Sequence, residues 1–368
     1  MMQLPRVKPE HAAYRIAGGR IRLGGVAYGI AAELPDPDGL LWTLLESMDG
    51  TRSRDAIITA VRSQHPTSSQ HAVKKLLDQL ELSGYVEDSG STDPEALTSR
   101  DRERYSRSRG YFRWVDIRPR ASTWDPQVAL KRSTMCVVGV GGTGGSAAMA
   151  LAASGVGHLV CVDCDVVELS NLNRQLLFTE GDIGLPKAAA AVSHLRQLNS
   201  DIHIEGVQRQ VSGEDDFADL ARACDVLLLC ADNPRDTRLW ANRGCLRAAT
   251  PWIDAGYHGP LAQVASYVPG QSACWECVRT VERAQHDAVG ANSDDGRARR
   301  EAAPNAVNAI TAAISGNLAA HAAISLVTGA PPVRSGAVFA LNLYDLAAPS
   351  VVVTGPKLAD CPACGDPV

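Results

Sequence analysis

This chain lacks a strong excess of charge of one sign, an N-terminus that resembles a secretory signal, and long apolar runs. The 36 Lys and Arg residues against 41 Asp and Glu give a net charge of −5, which argues against a general nucleic-acid-binding surface and a nucleic-acid partner. The first residues contain no apolar core of the kind that secretory signals need. No apolar run reaches 18 residues without a charge or a turn signal, so no membrane span and no membrane partner are predicted.

Aromatic residues are also few, at 5%, and no internal repeat is visible, whereas glycine (32) and cysteine (10) are plentiful. Four of the cysteines form two Cys-x-x-Cys pairs, and most of the others lie in apolar, strand-like runs. This pattern is typical of a reducing compartment and one zinc site rather than of a disulfide framework. A cytoplasmic location is therefore expected.

Hydrophobicity patterns divide the 368 residues into two domains and a connecting segment. Residues 1–90 predict a winged-helix-like domain, with two or three short strands within 11–35, three helices and a returning strand at 85–87. The three helices are predicted at Asp38–Met48, Ser53–Gln64 and Ser68–Leu82. Residues 91–132 are polar and rich in arginine, which predicts a linker or arm.

Residues 133–368 alternate between strand and helix, which is typical of an α/β fold with a doubly wound, mostly parallel, Rossmann-like sheet. Strands are predicted at Met135–Val140, His158–Asp163, Val226–Ala231 and Pro251–Ala255, helices at Gly145–Ser154 and Pro186–Leu198, and added antiparallel strands at Gln263–Val268 and Ala337–Leu343. The stretch Ala306–Thr328 is rich in Ala, Ile and Leu, which predicts a long buried helix.

A glycine-rich loop joins the first of these strands to the first helix. Gly139, Gly141 and Gly144 match G-x-G-x-x-G, which permits a tight turn, close approach of the backbone to a phosphate and close helix packing. Gly142 belongs to the same loop. Asp163, 24 residues beyond Gly139, ends the next strand, where it suits a ribose hydroxyl. These residues alone leave a nicotinamide-dependent dehydrogenase and an ATP-binding enzyme both open.

Polar residues further along the chain favour a triphosphate over a dinucleotide. Asn171, Arg174 and Lys187 would place an amide and two cations where charge builds up as pyrophosphate leaves. Asp232 follows an apolar strand, and the carboxyl end of such a strand is where a Mg²⁺ ligand would be needed. Since hydride transfer needs no such set, the sequence predicts a site for ATP and Mg²⁺.

Two Cys-x-x-Cys pairs, separated by 83 residues, predict a metal site. Cys274, Cys277, Cys361 and Cys364 suit a tetrahedral Zn²⁺ ion with four thiolate ligands. A redox pair is the alternative, but two distant pairs favour a clip that holds the end of the sheet domain. The ion would be structural, because four thiolates leave no open coordination position.

Five motifs follow one another in order. They are VGVGGTGG at 138–145, VDCDVVELSNLNRQ at 162–175, GLPKA at 184–188, CADN at 230–233 and the paired Cys-x-x-Cys. Together they resemble the ubiquitin-activating-like adenylating enzymes, the ThiF/MoeB/MccB group, over about Arg104–Gly365. The resemblance implies an adenylyltransferase, which joins ATP to a carboxylate and releases pyrophosphate.

The resemblance also implies roles for the polar residues. Asp163, with Asp165 beside it, would hold the ribose, and Asp232 would bind Mg²⁺. The phosphates would be contacted by Asn171, Arg174 and Lys187.

An arginine-rich element before the sheet domain adds a partner subunit to this expectation. RYSR at 104–107 resembles the family's RYxRQ element, which implies that Arg107 reaches the γ-phosphate in the opposite subunit of a homodimer. The resemblance therefore implies four catalytic residues: Arg107, Arg174, Lys187 and Asp232. Two departures appear. Ser108 replaces the family's Gln, and Arg238 lies one residue further from Asp232 than the usual arginine, so Arg238 is left out of the predicted site.

The segment at 282–304 is polar and contains no cysteine, although relatives that form thioesters or persulfides carry a nucleophilic cysteine in this region. It predicts a mobile lid or crossover loop. Cys164 and Cys245 are the alternative nucleophiles, but Cys164 stands between two aspartates that disfavour a thiolate. The chemistry is therefore expected to stop at an acyl-adenylate, or to pass it directly to a nucleophile on the substrate or a partner.

The front domain resembles winged-helix domains that bind the leader peptides of ribosomally made, modified peptides. An extended peptide could pair with its edge strand, whereas Lys74 and Lys75 offer too little charge on the third helix for DNA. A packing or dimerisation module is the alternative. The expected substrate is the C-terminal carboxylate of a short precursor peptide, in microcin-like antibiotic biosynthesis. A peptide ending in Asn would allow a succinimide and then a peptide–nucleotide conjugate.

Two other functions stay open on the sequence. The enzyme could adenylate a ubiquitin-fold sulfur carrier that ends in Gly-Gly. Alternatively, the chain could be a non-catalytic docking partner of a cyclodehydratase, although the set of Asn171, Arg174, Lys187 and Asp232 argues against a vestigial site.

Overall fold

A computed structural model describes residues 1–25, 29–288, 306–347 and 351–365. These residues form two compact units, Met1–Ala129 and Leu130–Val368. Each unit has a hydrophobic core of its own. The division falls inside the segment 91–132 that the sequence predicts to be a linker.

The first unit begins with a small antiparallel sheet and three helices. Its strands are β1 (Pro5–Val7), β2 (Tyr14–Ile16), β3 (Arg20–Leu23), β4 (Ala32–Pro35) and β5 (Val86–Asp88), and its first helices are α1 (Leu40–Ser47), α2 (Arg54–Gln64) and α3 (Gln70–Leu82). Strands β2, β3 and β4 form one sheet, and β1 pairs with β5. Ser53 and Ser69 cap α2 and α3 by accepting backbone hydrogen bonds. The predicted strands and helices of this region are all present.

Residues 91–132 contain three helices that the sequence does not predict. They are α4 (Ser99–Arg104), α5 (Ser106–Val115) and α6 (Asp125–Arg132). A capping box between Thr98 and Asp101 starts α4. Leu97, Tyr105 and Trp124 form a small buried cluster. These three large side chains are far apart in the sequence and separated by polar residues, so the composition alone suggests a linker.

The second unit is built on one sheet. Its strands are β6 (Thr134–Val138), β7 (His158–Val162), β8 (His203–Val207), β9 (Val226–Leu229), β10 (Trp252–His258), β11 (Leu261–Tyr267), β12 (Ala337–Asn342) and β13 (Val351–Thr354). In the described residues the order is β13-β12-β11-β10-β9-β6-β7-β8. The strands β8, β7, β6, β9 and β10 are parallel, and β11, β12 and β13 continue the sheet in antiparallel fashion. The predicted fold class is confirmed.

Helices cover this sheet. They are α7 (Gly142–Ser154), α8 (Lys187–Leu198), α9 (Glu214–Arg222), α10 (Thr237–Ala248), α11 (Trp275–Ala288) and α12 (Ala309–Thr328). The sequence does not predict β8, β13 or α9 to α11. The predicted loop at 282–304 is wrong at its start, because α11 continues to Ala288. The remainder of that loop, 289–304, lies outside the described residues.

Helix α12 bears on the expectation that every apolar run of 18 residues is interrupted by a charge or a turn signal. It is 20 residues long, contains no charged residue, and is long and apolar enough to cross a membrane by length and composition alone. Half of its most apolar stretch is buried. The Gly316-Asn317 pair, a turn signal in the sequence, does not form a turn here but continues the helix. A Cβ at Gly316 would lie 2.2 Å from the Thr143 carbonyl oxygen, and Asn317 donates to the Ala313 carbonyl. Glycine therefore lets α12 approach α7 closely.

Candidate active site

The glycine loop lies where the order of the parallel strands reverses. Strand β6 stands between β7 and β9, and the chain passes from β6 to β7 and β8 before it returns on the other side of β6 as β9. Loops that leave the carboxyl ends of two such strands diverge, which opens a crevice for a ligand. The loop after β6, Asp163 after β7 and Asp232 after β9 all belong to this end of the sheet.

Two glycines make the loop possible. Gly139 has φ +86°, a left-handed conformation, and a Cβ there would lie 2.9 Å from the backbone nitrogen of Ala231. A Cβ on Gly144 would lie 1.7 Å from the carbonyl oxygen of Gly139. Alanine at 144 therefore cannot be placed unless the loop moves. The loop follows this path because Gly139 and Gly144 lack a Cβ.

The loop leads directly into the N-terminus of α7. The N-cap residue of α7 is Gly141, so no side chain caps the first turn of the helix. The N–H groups of the first turn and the helix dipole therefore make this end suitable for a phosphate. Arg174 lies beside it, since a Cβ on Gly142 would be 3.1 Å from the Arg174 carbonyl oxygen.

Asp163 ties the loop to the end of β7. Its carboxylate accepts hydrogen bonds from the backbone N–H groups of Val140, at 2.8 Å, and Asp165, at 2.9 Å. Burial raises the pKa of Asp163, and these hydrogen bonds oppose the rise. The side chain is thus held in one orientation at the mouth of the glycine loop, where the predicted ribose contact would be made.

Lys187 lies close to the same loop end. It is the first residue of α8, and its ammonium group lies 3.0 Å from the Asp165 carboxylate. The hydrogen bond from Lys187 lowers the pKa of Asp165. The lysine side chain is 7% exposed whereas that of Asp165 is 61% exposed. A partly covered cation is therefore held beside the glycine loop.

Asn171 and Arg174 come from a 3-10 turn at 169–171 and the residues after it. The Asn171 side-chain oxygen accepts from the backbone N–H of Glu168 at 3.1 Å, and the side chain is buried. Arg174 donates to the Ser170 carbonyl and to the Asn173 side chain, at 2.9 and 3.0 Å. The turn therefore fixes both side chains locally.

Asp232 lies just beyond β9 and is half exposed. Arg238 donates to one of its oxygens at 2.9 Å and, through Nε, to both oxygens of Asp254. Asp254 raises the pKa of Arg238, and burial raises the pKa of Asp254. Arg238, which its spacing left out of the predicted site, nevertheless contacts Asp232, because its guanidinium bridges Asp232 and Asp254.

Two further side chains reach the site without having been predicted. Burial raises the pKa of Tyr257, the charge of Asp232 raises it further, and the charge of Arg174 and a hydrogen bond with it lower it. Gln175 is 4% exposed, its Oε1 has no hydrogen-bond partner in the described residues, and its amide nitrogen lies 3.4 Å from where a Gly141 Cβ would be. The sequence signal that could identify Gln175 is its position next to Arg174 in the motif.

Arg107 belongs to the first unit. It lies exposed in the first turn of α5. Its predicted contact with the γ-phosphate of an opposite subunit stays a prediction.

The two alternative nucleophiles are poorly suited to that role. Cys245 is fully buried, and burial raises the pKa of its thiol. Cys164 is exposed, but desolvation and the neighbouring Asp165 raise the pKa of its thiol. A raised pKa leaves less of the reactive thiolate at neutral pH.

The four cysteines of the two pairs come together in the structure. Cys274 and Cys277 lie at the start of α11, and Cys361 and Cys364 follow β13. The Sγ–Sγ distances are 3.8 Å within the first pair and 3.5 and 3.6 Å between the pairs. Four thiolates about 2.3 Å from one Zn²⁺ stand roughly 3.8 Å apart. The arrangement is therefore compatible with zinc, and the Leu358 N–H donates to the Cys277 sulfur.

A glycine loop at a strand-order reversal, with cations and a carboxylate around it, defines a nucleotide-binding α/β enzyme. The ThiF family profile matches residues 115–363. The chain belongs to the ThiF family, as its motifs predict, and is an adenylyltransferase of the ThiF/MoeB/MccB kind.

Comparison with known proteins gives two kinds of match. Protein HesA of Leptolyngbya boryana is 32% identical over 246 residues, which cover 66% of this chain and 80% of HesA. The sulfur carrier protein ThiS adenylyltransferase of Escherichia coli K12 is 41% identical over 157 residues, 42% of this chain and 61% of that enzyme. The crystal structure of E. coli MccB covers 99% of this chain and 97% of its own, with a TM-score of 0.78 and 21% identity. At that identity the match shows a shared fold.

Proposed function

We propose that this enzyme adenylates the C-terminal carboxylate of a ribosomally made precursor peptide. The observation that carries the proposal is an architecture shared with MccB along almost the whole chain, the first unit included. The ThiF family match begins at residue 115 and so leaves most of that unit outside it. One MccB structure is described as the microcin C7 biosynthetic enzyme in complex with N-formylated MccA, and MccA is a peptide.

The chemistry follows from the crevice. A carboxylate oxygen attacks the α-phosphorus of ATP, an O–P bond forms, and the bond to the β-phosphate oxygen breaks as pyrophosphate leaves. No base is needed, because a peptide carboxyl group is already ionised at neutral pH. Arg174 and Lys187 would neutralise charge on the phosphates, and the α7 N-terminus would orient them. Asp232 would hold Mg²⁺, which when bound supplies further charge neutralisation.

The first unit offers a surface for the rest of the peptide. Strands β2 and β4 are the two edges of its three-stranded sheet in the described residues. An extended peptide can add to such an edge through backbone hydrogen bonds, while its side chains give specificity. This unit would then hold the precursor, and the C-terminal carboxylate of the precursor would react with the nucleotide.

A second substrate class has support of its own. The ThiS adenylyltransferase is more similar to this chain in sequence than MccB is, and its name gives a sulfur carrier protein as its substrate. Adenylation of a ubiquitin-fold carrier that ends in Gly-Gly is therefore the second candidate.

ATP–pyrophosphate exchange separates the two candidates. We expect exchange with precursor peptides encoded beside the gene, and no exchange above background when the same peptide carries a C-terminal amide. Removing the N-terminal part of the peptide should lower kcat/KM by at least about 10-fold, because contacts with the first unit are lost. Exchange with a Gly-Gly carrier but with none of the peptides would contradict the proposal and favour the second candidate.

We also propose that the enzyme is a homodimer. Five large apolar side chains are exposed between residues 166 and 185, at 43–69%: Val166, Leu169, Leu176, Ile183 and Leu185. Large apolar side chains exposed together favour an interaction surface, and we place the dimer contact on this segment. Light scattering should give twice the chain mass of 39.0 kDa, and the mass of one chain at working concentration would refute the dimer.

A further inference from the structure

A second group of metal-ligating side chains lies at the opposite end of the parallel strands. His158 is the first residue of β7 and His203 the first residue of β8, and the two are register partners. Glu205 lies two residues along β8, and alternate residues of a strand share a face. With a rise of about 3.3 Å per residue, five residues of β7 separate this group from Asp163 by roughly 16 Å.

The three side chains converge. The imidazole centroids of His158 and His203 are 4.5 Å apart, and His158 Nε2 lies 3.5 Å from a Glu205 carboxylate oxygen. One ligand atom from each of the three residues lies within 4.8 Å of the other two. Backbone hydrogen bonds from His158 to Ser133 and from His203 to Gly157 hold both strands at this point.

One ligand atom lacks a hydrogen-bond partner. His158 Nε2 is buried from solvent and has no hydrogen bond in the described residues. The Glu205 oxygen at 3.5 Å makes no hydrogen bond with it, and a buried polar atom without a hydrogen bond is unfavourable. Coordination would give this nitrogen a partner, and the exposed His203 and Glu205 can adjust their side chains toward the same ion.

We propose that His158, His203 and Glu205 form a binding site for a divalent transition-metal ion, for which Zn²⁺ is the natural occupant. Two imidazole nitrogens and one carboxylate oxygen are a ligand set that zinc accepts, with water in the fourth position. The ion joins β8, an edge strand, to β7. It is separate from the four-cysteine site, which has only sulfur ligands.

Calorimetric titration with zinc chloride tests the site. The full-length, tag-free protein is first loaded with zinc and then treated with chelator until one ion per chain, the one held by the four cysteines, remains. We expect one further equivalent to bind, and His203→Ala to weaken that binding by at least about 10-fold, the scale of losing even an outer partner of a metal site. Glu205→Gln should weaken it as well.

The matched control is His71→Ala, which removes an exposed histidine from α3 in the first unit. It should bind the further equivalent as the wild type does. An unchanged zinc content at the cysteines shows that each variant is folded. Absence of a further equivalent in the wild type, or a further equivalent that survives His203→Ala, would overturn the proposal.

Discussion

Replacement of Asp232 by alanine is expected to lower ATP–pyrophosphate exchange by at least about 10²-fold, the scale of losing one preorganised group that stabilises transition-state charge. Asp232 is the carboxylate that follows β9 beside the strand-order reversal, and half of its side chain is exposed to solvent. Removal leaves Arg238 bound to Asp254, so the local fold should persist. The loss should therefore fall on catalysis rather than on stability.

Asp236→Ala is the matched control for Asp232→Ala. Asp236 is exposed and close in sequence, and its side chain does not cap α10. Its replacement should leave the exchange rate within about 2-fold of the wild-type rate, as expected for a surface change of under 0.5 kcal/mol. Equal exchange rates in the wild type and Asp232→Ala would eliminate the assignment of Asp232 to the reaction.

Cys361→Ser is expected to have the largest effect on stability. It removes one of the four cysteine sulfurs that come together at the start of α11 and after β13, and that we propose hold a Zn²⁺ ion. Because binding of a structural metal contributes directly to folding, the free energy of unfolding should fall by roughly 4 kcal/mol or more. Tightly held zinc, measured by atomic absorption after treatment with chelator, should fall from one ion per chain to almost none.

Cys164→Ser provides the control for thiol loss. Cys164 is exposed and lies outside the four-cysteine group, so zinc content and denaturation midpoint should match the wild type. If Cys361→Ser also kept its zinc, the four-cysteine site would not be the metal clip that its geometry suggests.

The placement of the glycine loop, Asp163 and Asp232 at one end of the sheet could be predicted because it depends on local sequence. The glycines stand between a strand and a helix, Asp163 directly follows β7, and Asp232 is the third residue after β9. The ends of parallel strands meet at one edge of a sheet, so order along the chain is enough to place these groups together. The alternation of strand and helix predicts the sheet for the same reason.

The parts that were missed depend on contacts between distant residues. Arg238 lies beside Asp232 because its guanidinium donates hydrogen bonds to Asp254 on the neighbouring strand β10. The spacing of residues along the sequence does not predict this ion pair. Tyr257 enters from the end of the same strand. The helices within 91–132 share a cluster whose members are Leu97, Tyr105 and Trp124, so local polarity conceals them.

The central claim is that ATP binds with its phosphates on the loop after β6 and its metal ion on Asp232. A crystal of the enzyme with ATP and Mn²⁺ tests this most directly, since manganese is located by its anomalous scattering. We predict a manganese peak at the Asp232 carboxylate and the α-phosphate at the N-terminus of α7. A peak elsewhere, or tighter occupation of the crevice by a nicotinamide dinucleotide, would contradict the account.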